Sequence, residues 1–271
     1  MSGTTWVGPA PTDERAYFHE LATLTTDALR EVLAKPLRKI AVLPVGATEA
    51  HGPHLPLGTD SWISDEVARR SAHELARRGM EAVFFPTLHY AVTDWAAGFA
   101  GTVSISKEAV AGVVLGVARS AMAMGFDRVA LVTAHLDPDH IAVLRRVAIA
   151  FEADTRVPLV FADTTRRRVA ERLTEEFRSG SCHAGRYETS LMLAIRPELV
   201  DRAIASALPP KHVPLADAIR DGARSFVEVG MDQAYCGDPA AATEAEGHAT
   251  LDALAAITAE AVAASFGGGP S

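Results

Sequence analysis

Along this chain, short apolar runs alternate with longer stretches in which apolar side chains return every three or four positions. Lys39-Ile40-Ala41-Val42-Leu43-Pro44-Val45, apolar from Ile40 onward and closed by Gly46, has the pattern of a buried strand. An amphipathic helix is predicted over 61–78, with Ile63, Val67 and Leu75 on its apolar side and Gly79 as its stop. Residues 82–85 read as the next strand and 107–124 as a helix closed by Gly125. The apolar run 127–133 is a further strand, 138–153 a helix, 159–161 a short strand and 165–178 another helix. A last predicted helix opens within 182–190.

Strand–helix alternation of this kind predicts an α/β fold, a three-layer α/β/α arrangement around a mainly parallel sheet. No internal repeat or low-complexity linker interrupts the pattern. Residues 1–266 are therefore expected to form a single domain, with 267–271 (Gly-Gly-Gly-Pro-Ser) as a disordered tail. The stretch 206–238, with Pro209-Pro210 and no clean period, reads as a loop-rich connection near an interface or the rim of an active site.

Composition narrows the function. Hydrophobic residues make up 48% of 271, enough for a substantial core. The net charge of -8 is dispersed, which argues against nucleic acid or an anionic membrane surface as a partner. The densest basic run, Arg166-Arg167-Arg168, is followed by Glu171, Glu175 and Glu176 and reads as a solvated helix face. Two cysteines, Cys182 and Cys236, make no disulfide framework. With no signal-peptide pattern and no apolar run long enough to span a bilayer, a soluble cytoplasmic protein is expected.

In open parallel sheets, ligands gather beyond the carboxyl ends of the strands. After the first predicted strand comes Glu49-Ala50-His51-Gly52-Pro53-His54-Leu55-Pro56-Leu57-Gly58-Thr59-Asp60, two histidines and two carboxylates in twelve residues. After a later strand comes His135-Leu136-Asp137-Pro138-Asp139-His140, and His183-Ala184-Gly185-Arg186-Tyr187-Glu188 opens a helix. Imidazole and carboxylate are the usual ligands of zinc and also suit manganese and iron. Glu49 and His51, two apart on an extended turn, can face one site. Asp60 is either a helix N-cap or a carboxylate placed to bridge two ions. His54 reads as a loop hydrogen-bonder. Asp139 reads equally as a first-turn helix residue or a ligand.

The segment from Pro44 to Asp60 resembles the signature of the creatininase (creatinine amidohydrolase) family. Gly98-Phe99-Ala100-Gly101-Thr102, His183-Ala184-Gly185 with Glu188-Thr189-Ser190, and Gly237-Asp238-Pro239 with Glu246-Gly247 resemble further motifs of that family in the right order. The resemblance implies a creatininase-like α/β/α domain, commonly a homohexamer, with two divalent metal ions. Zinc is the first expectation, with manganese or iron as alternatives. It implies Glu49 and His135 on one metal, His51 on the other and Asp60 between them. Asp137 stands where relatives carry a glutamate ligand. His183 matches a histidine that moves protons at the substrate, and Glu188 an acidic residue at the centre, as ligand or as catalytic neighbour. The implied activity is hydrolysis of a C–N bond in a small polar amide, formamide or cyclic amide. Trimming of a peptide C-terminus, as in relatives that mature peptide cofactors, is the alternative, and a non-catalytic metal-binding oligomer stands behind both.

Departures from the family pattern bear on the substrate. The glycines that flank the ligand histidine in many relatives are replaced by Ala134 and Leu136, and Asp137 is one methylene shorter than glutamate. Arg186 replaces an acidic residue and is expected either to meet an anionic substrate group or to face solvent. Phe99 is a second expected substrate contact. No tryptophan pair lies in 165–185 to grip a planar ring, which speaks against creatinine itself.

Overall fold

The structure is a computed structural model and describes residues 17–267. The expected tail, apart from Gly267, lies outside the described residues. In chain order the elements are β1 (Phe18–Glu20), α1 (Thr26–Ala34), β2 (Lys39–Pro44), α2 (Thr59–Arg77), β3 (Glu81–Phe84), α3 (Lys107–Met124), β4 (Arg128–Val132), α4 (Pro138–Thr155) and β5 (Leu159–Phe161). There follow α5 (Arg167–Ala170), α6 (Glu175–Ser179), α7 (Arg186–Ile195), α8 (Arg202–Ala207), α9 (Leu215–Arg220) and α10 (Glu244–Ala264).

The strands form one sheet in the order β1-β3-β2-β4-β5, every pair parallel. Alternate residues of each strand enter opposite cores, as the two-residue strand period requires. Ile40, Val42, Ala82, Phe84, Ala130 and Val132 face a core shared with α2, α7 and α10. Ala41, Leu43, Val83, Val129, Leu131 and Leu159 face a second core built with α1, α3 and α4. This is the expected parallel sheet with helices on both sides.

Two expectations change. The helix predicted over 165–178 is two short ones, because the Thr174 hydroxyl accepts from the Phe177 N–H and starts a new helix there. Helix α2 begins at Thr59 rather than 61, so Gly58 holds the N-cap position and Asp60 lies in the first turn. Asp60 is therefore free of capping and its carboxylate points elsewhere. Sequence reasoning missed β1, α1, α8, α10 and, inside the stretch expected to be loop-rich, α9. Glu81, fully buried in β3, ties β1 to the sheet by pairing with His19 at 2.7 Å, and takes Lys35 at 2.8 Å as well. Helix α10 lies against α7 at Gly247, where an added Cβ would sit 1.9 Å from the Ser190 carbonyl oxygen. No helix among the described residues is long and apolar enough to cross a membrane.

The order of strands places the site. β2 connects through α2 to β3 on one side, whereas β4 connects through α4 to β5 on the other. The chain thus departs in opposite directions from two neighbouring carboxyl ends, and a crevice opens between them. The loop holding Glu49 and His51 follows β2, and the one holding His135 and Asp137 follows β4.

Candidate metal centre

Glycine lets the first loop approach α2. A Cβ on Gly46 would lie 2.4 Å from the Ser61 Cα, so only glycine lets the chain run tight against the first turn that carries Asp60. Glu49, His51, Asp60, His135 and Glu188 are all buried, and their polar atoms converge. Asp60 faces both histidines. Its Oδ1 lies 3.4 Å from His51 Nε2 and its Oδ2 3.0 Å from His135 Nδ1. Glu49 Oε1 lies 3.4 Å from His135 Nδ1, and Glu188 Oε2 3.6 Å from His51 Nε2.

Three groups among the described residues have donor atoms close enough to share an ion: Glu49, Asp60 and His135; His51, Asp60 and Glu188; and Glu49, His51 and His183. The first two share Asp60, the arrangement a bridging carboxylate needs. His51 Nε2 and Asp60 Oδ2 are buried without a hydrogen-bond partner, although polar atoms surround them. Buried polar groups are ordinarily paired. Atoms that crowd a common point without bonding one another fit a bound cation, and N/O donors of this kind suit a divalent transition ion.

The outer nitrogens of the three imidazoles explain how the inner ones are aimed. His135 Nε2 donates to the Val92 carbonyl at 2.7 Å, His51 Nδ1 to the Glu49 carbonyl at 3.2 Å and His183 Nε2 to the Ala50 carbonyl at 3.0 Å. A carbonyl only accepts, so each outer nitrogen carries a proton and each inner nitrogen is the one aimed at the centre, where it would offer its lone pair to a metal. Thr93 Oγ1 donates to Glu49 Oε2, leaving Oε1 for the cluster.

Electrostatics follow from burial and crowding. Burial opposes charge on His51, but Asp60 and Glu188 outweigh it and push its pKa up to about 10. Burial likewise opposes charge on His135, and Glu49 and Asp60 hold its pKa well above the ordinary value. Burial works against the Asp60 carboxylate, but the two imidazoles keep its pKa well below the usual range. Glu188 rises to about 8, chiefly through burial. Both ligand imidazoles therefore carry protons in the metal-free protein at neutral pH, and a metal must displace them. Loading with zinc is expected to release protons and to tighten as pH rises toward about 10. Calorimetry in buffers of different ionisation enthalpy measures that release, and proton-neutral binding would contradict it.

The other expected residues fall in different places. Asp137 lines the cavity in front of the cluster but belongs to none of the three groups. Its Oδ1 accepts from the Asp139 and His140 N–H groups at the start of α4, and its Oδ2 from the Trp95 N–H at 3.3 Å. The shorter side chain has become a helix cap. His54 is a hydrogen-bonder, its Nε2 2.8 Å from Thr189 Oγ1. Asp139 pairs with Lys107 at 2.8 Å. Arg186 pairs with Glu246 of α10 and does not line the cavity. Phe99 packs beside a separate small cluster that includes Trp95 and Phe226, and does not line the cavity either.

The cavity itself holds about 550 Å³ above Glu49, Asp60, His135, His183 and Glu188. Its walls include Trp95, Leu136, Phe177, Leu215, Ile219 and Phe226, none of which sequence reasoning had placed there. Leu215, Ile219 and Phe226 come from the irregular 206–238 stretch, which thus forms part of the rim. Arg167, read from sequence as solvated, also lines the mouth while its side chain stays 93% exposed.

The sequence profile described as creatinine amidohydrolase matches residues 22–262. The chain belongs to the creatininase family. Within that family it is 32% identical over 234 residues to a mycofactocin precursor peptide peptidase of Mycobacterium ulcerans, a match covering 84% of each chain. It is 29% identical over 193 residues to a creatinine amidohydrolase of Pseudomonas putida, covering 66% of this chain and 72% of that one. A crystal structure of creatinine amidohydrolase superposes with a TM-score of 0.68 at 22% identity, over 91% of this chain and 97% of that one, a likeness of fold. Creatininase-family proteins are metal-dependent hydrolases, and the clusters around Asp60 are able to hold metal.

Proposed function

We propose that this chain is a two-metal amidohydrolase that cleaves a C–N bond in a polar amide. The observation that carries the reading is the pair of donor groups sharing Asp60 at the floor of a cavity. Glu49 and His135 would hold one ion, His51 and Glu188 the other, and Asp60 both. Zinc, manganese and iron all suit the N/O donors. When bound, such ions supply Lewis acidity toward a carbonyl and lower the pKa of water to about 7.

The protein's own groups do the rest. His183 Nε2 is tied to Ala50, so Nδ1 is the nitrogen left to take a proton from the attacking water and return it to the departing nitrogen. The ring is held between His51 and Phe226, with centroids 4.4 and 4.3 Å away, which fixes that nitrogen toward the centre. Trp95 and Phe226 form an apolar wall beside the reacting groups and limit the water that reaches them.

Cleavage near the end of a peptide is the second reading. It is favoured by the 32% identity to a peptide peptidase and by a cavity of about 550 Å³, a volume in the range that admits ligands far larger than a single small ring. Metal-reconstituted protein assayed on formamides, lactams and short peptides is expected to turn over at least one class. A chelator should abolish that turnover and zinc or manganese restore it. Turnover that survives chelation would overturn the reading.

A further inference from the structure

The cations of this site are not where the sequence pattern put them. Arg186, expected to greet the substrate, is neutralised by Glu246 outside the cavity. Two other arginines line the cavity, Arg167 on α5 and Arg178 on α6. They differ in their partners. Arg167 is balanced by Glu171, one helical turn on at 3.2 Å, and that carboxylate lines the same mouth. Arg178 has no carboxylate or hydrogen-bond partner for its guanidinium among the described residues.

The local fold fixes where Arg178 stands. Phe177, its neighbour on the five-residue α6, is buried in the core with its ring 4.9 Å from that of Tyr187. Thr174 caps the start of the helix and Gly180 closes it in the left-handed region at φ 76°. Both ends and the middle of α6 are thereby pinned, which fixes the backbone from which Arg178 reaches the cavity. Around it the lining is mainly apolar, from Phe177, Leu215, Ile219 and Phe226. A guanidinium presents a rigid fork of N–H donors that matches a carboxylate or phosphate in pairs. Arg178 is exposed to solvent, and its unpaired fork beside an apolar cavity is available to an anion attached to an apolar group.

We propose that the substrate is an amide with an apolar body and one anionic group, and that Arg178 is the specificity-determining residue that reads the anion. Phe177, Leu215, Ile219 and Phe226 receive the apolar body, and the amide carbon lies over the floor formed by Glu49, Asp60 and Glu188. This rests on the hydrolase reading above. It narrows the polar amide of that reading to an acid, with an N-acylated aromatic or aliphatic amino acid, or the end of a peptide carrying one, as the simplest form.

The test separates binding from turnover. Metal-loaded protein is titrated by calorimetry with N-acetyl-L-phenylalanine, with its uncharged carboxamide and with N-acetylglycine. The acid is expected to bind at least about tenfold tighter than either, the size of effect one charge-assisted hydrogen bond gives. Because a carboxylate can also reach a metal, the variants decide. Arg178→Gln should shrink the preference for acid over carboxamide to about threefold or less. Arg168→Gln, at an exposed arginine of α5 that does not line the cavity, should keep it. Phenyl phosphate, run in parallel, tells whether a phosphate serves as well as a carboxylate, and loss of its binding in Arg178→Gln supports the assignment equally. A preference that persists in Arg178→Gln, equal binding of acid and carboxamide by the unaltered protein, or no binding of any of them overturns the proposal. Hydrolysis of the same acetyl compounds and of the neutral lactams is followed separately. Turnover of neutral amides without acid preference would overturn the Arg178 assignment alone. Arg178-dependent binding with no turnover of any amide would overturn the hydrolase reading alone.

Discussion

Replacing Asp60 by asparagine is expected to strip the protein of bound metal and to lower its hydrolytic rate by roughly 10³-fold or more. The carboxylate meets His51 with one oxygen and His135 with the other, and it is common to both donor groups that would hold ions. Asparagine keeps the size of the side chain but removes its charge and one of its two oxygens. Neither ion would then have the anion it shares with its neighbour. The measurement is metal content per chain by elemental analysis, beside activity on whichever amide the unaltered protein turns over. We expect about two ions in the parent and fewer than one in Asp60→Asn, with circular dichroism and melting behaviour showing the fold retained. An Asp60→Asn protein that kept both ions and its rate would refute the assignment. One ion or none in the unaltered protein would instead favour the metal-binding, non-catalytic alternative.

The second large effect concerns His183. His183→Gln is expected to lower the rate by about 10²–10⁴, the usual weight of a positioned acid–base group, while leaving the metal content unchanged. Burial, reinforced by the charge on His51, pushes the His183 pKa down to about 3, so the imidazole is neutral at working pH. With Nε2–H committed to Ala50, its open lone pair is on Nδ1, 3.9 Å from Glu49 Oε1. Glutamine can still donate to Ala50 but has no nitrogen that takes up a proton. Metal analysis distinguishes this role from its rival. Glu49, His51 and His183 also gather within reach of one ion, and loss of a metal in His183→Gln would make His183 a ligand rather than a proton carrier.

Where the sequence was informative, the information was local. Glu49, His51 and Asp60 lie in one loop and the first turn after it, so their nearness to one another could be read from their spacing. The parallel sheet was legible because strands buried on both faces read as continuous apolar runs, as β2 and β4 do after their first residue. Where it failed, the deciding partner lay far along the chain. Arg186 read equally as a substrate contact or a solvent-facing residue, and its partner proved to be Glu246, sixty residues on. Asp137 looked like a shortened ligand, but a backbone N–H of Trp95 takes one of its oxygens and α4 takes the other. The cavity wall was illegible because Leu215, Ile219 and Phe226 sit in a stretch without any period. Helix α10 escaped because alanine fills so many of its positions that the apolar face barely stands out from the rest.

The three imidazoles hold their orientation through the carbonyls of Glu49, Ala50 and Val92. Every amino acid brings the same carbonyl. The hydrogen bonds that aim the histidines therefore ask nothing of the side chains at 50 and 92, which are buried in the cores for packing alone. The aim of the imidazoles thus comes from the loops after β2 and β3, and α5, α6 and the irregular rim, which line the cavity, have no part in it.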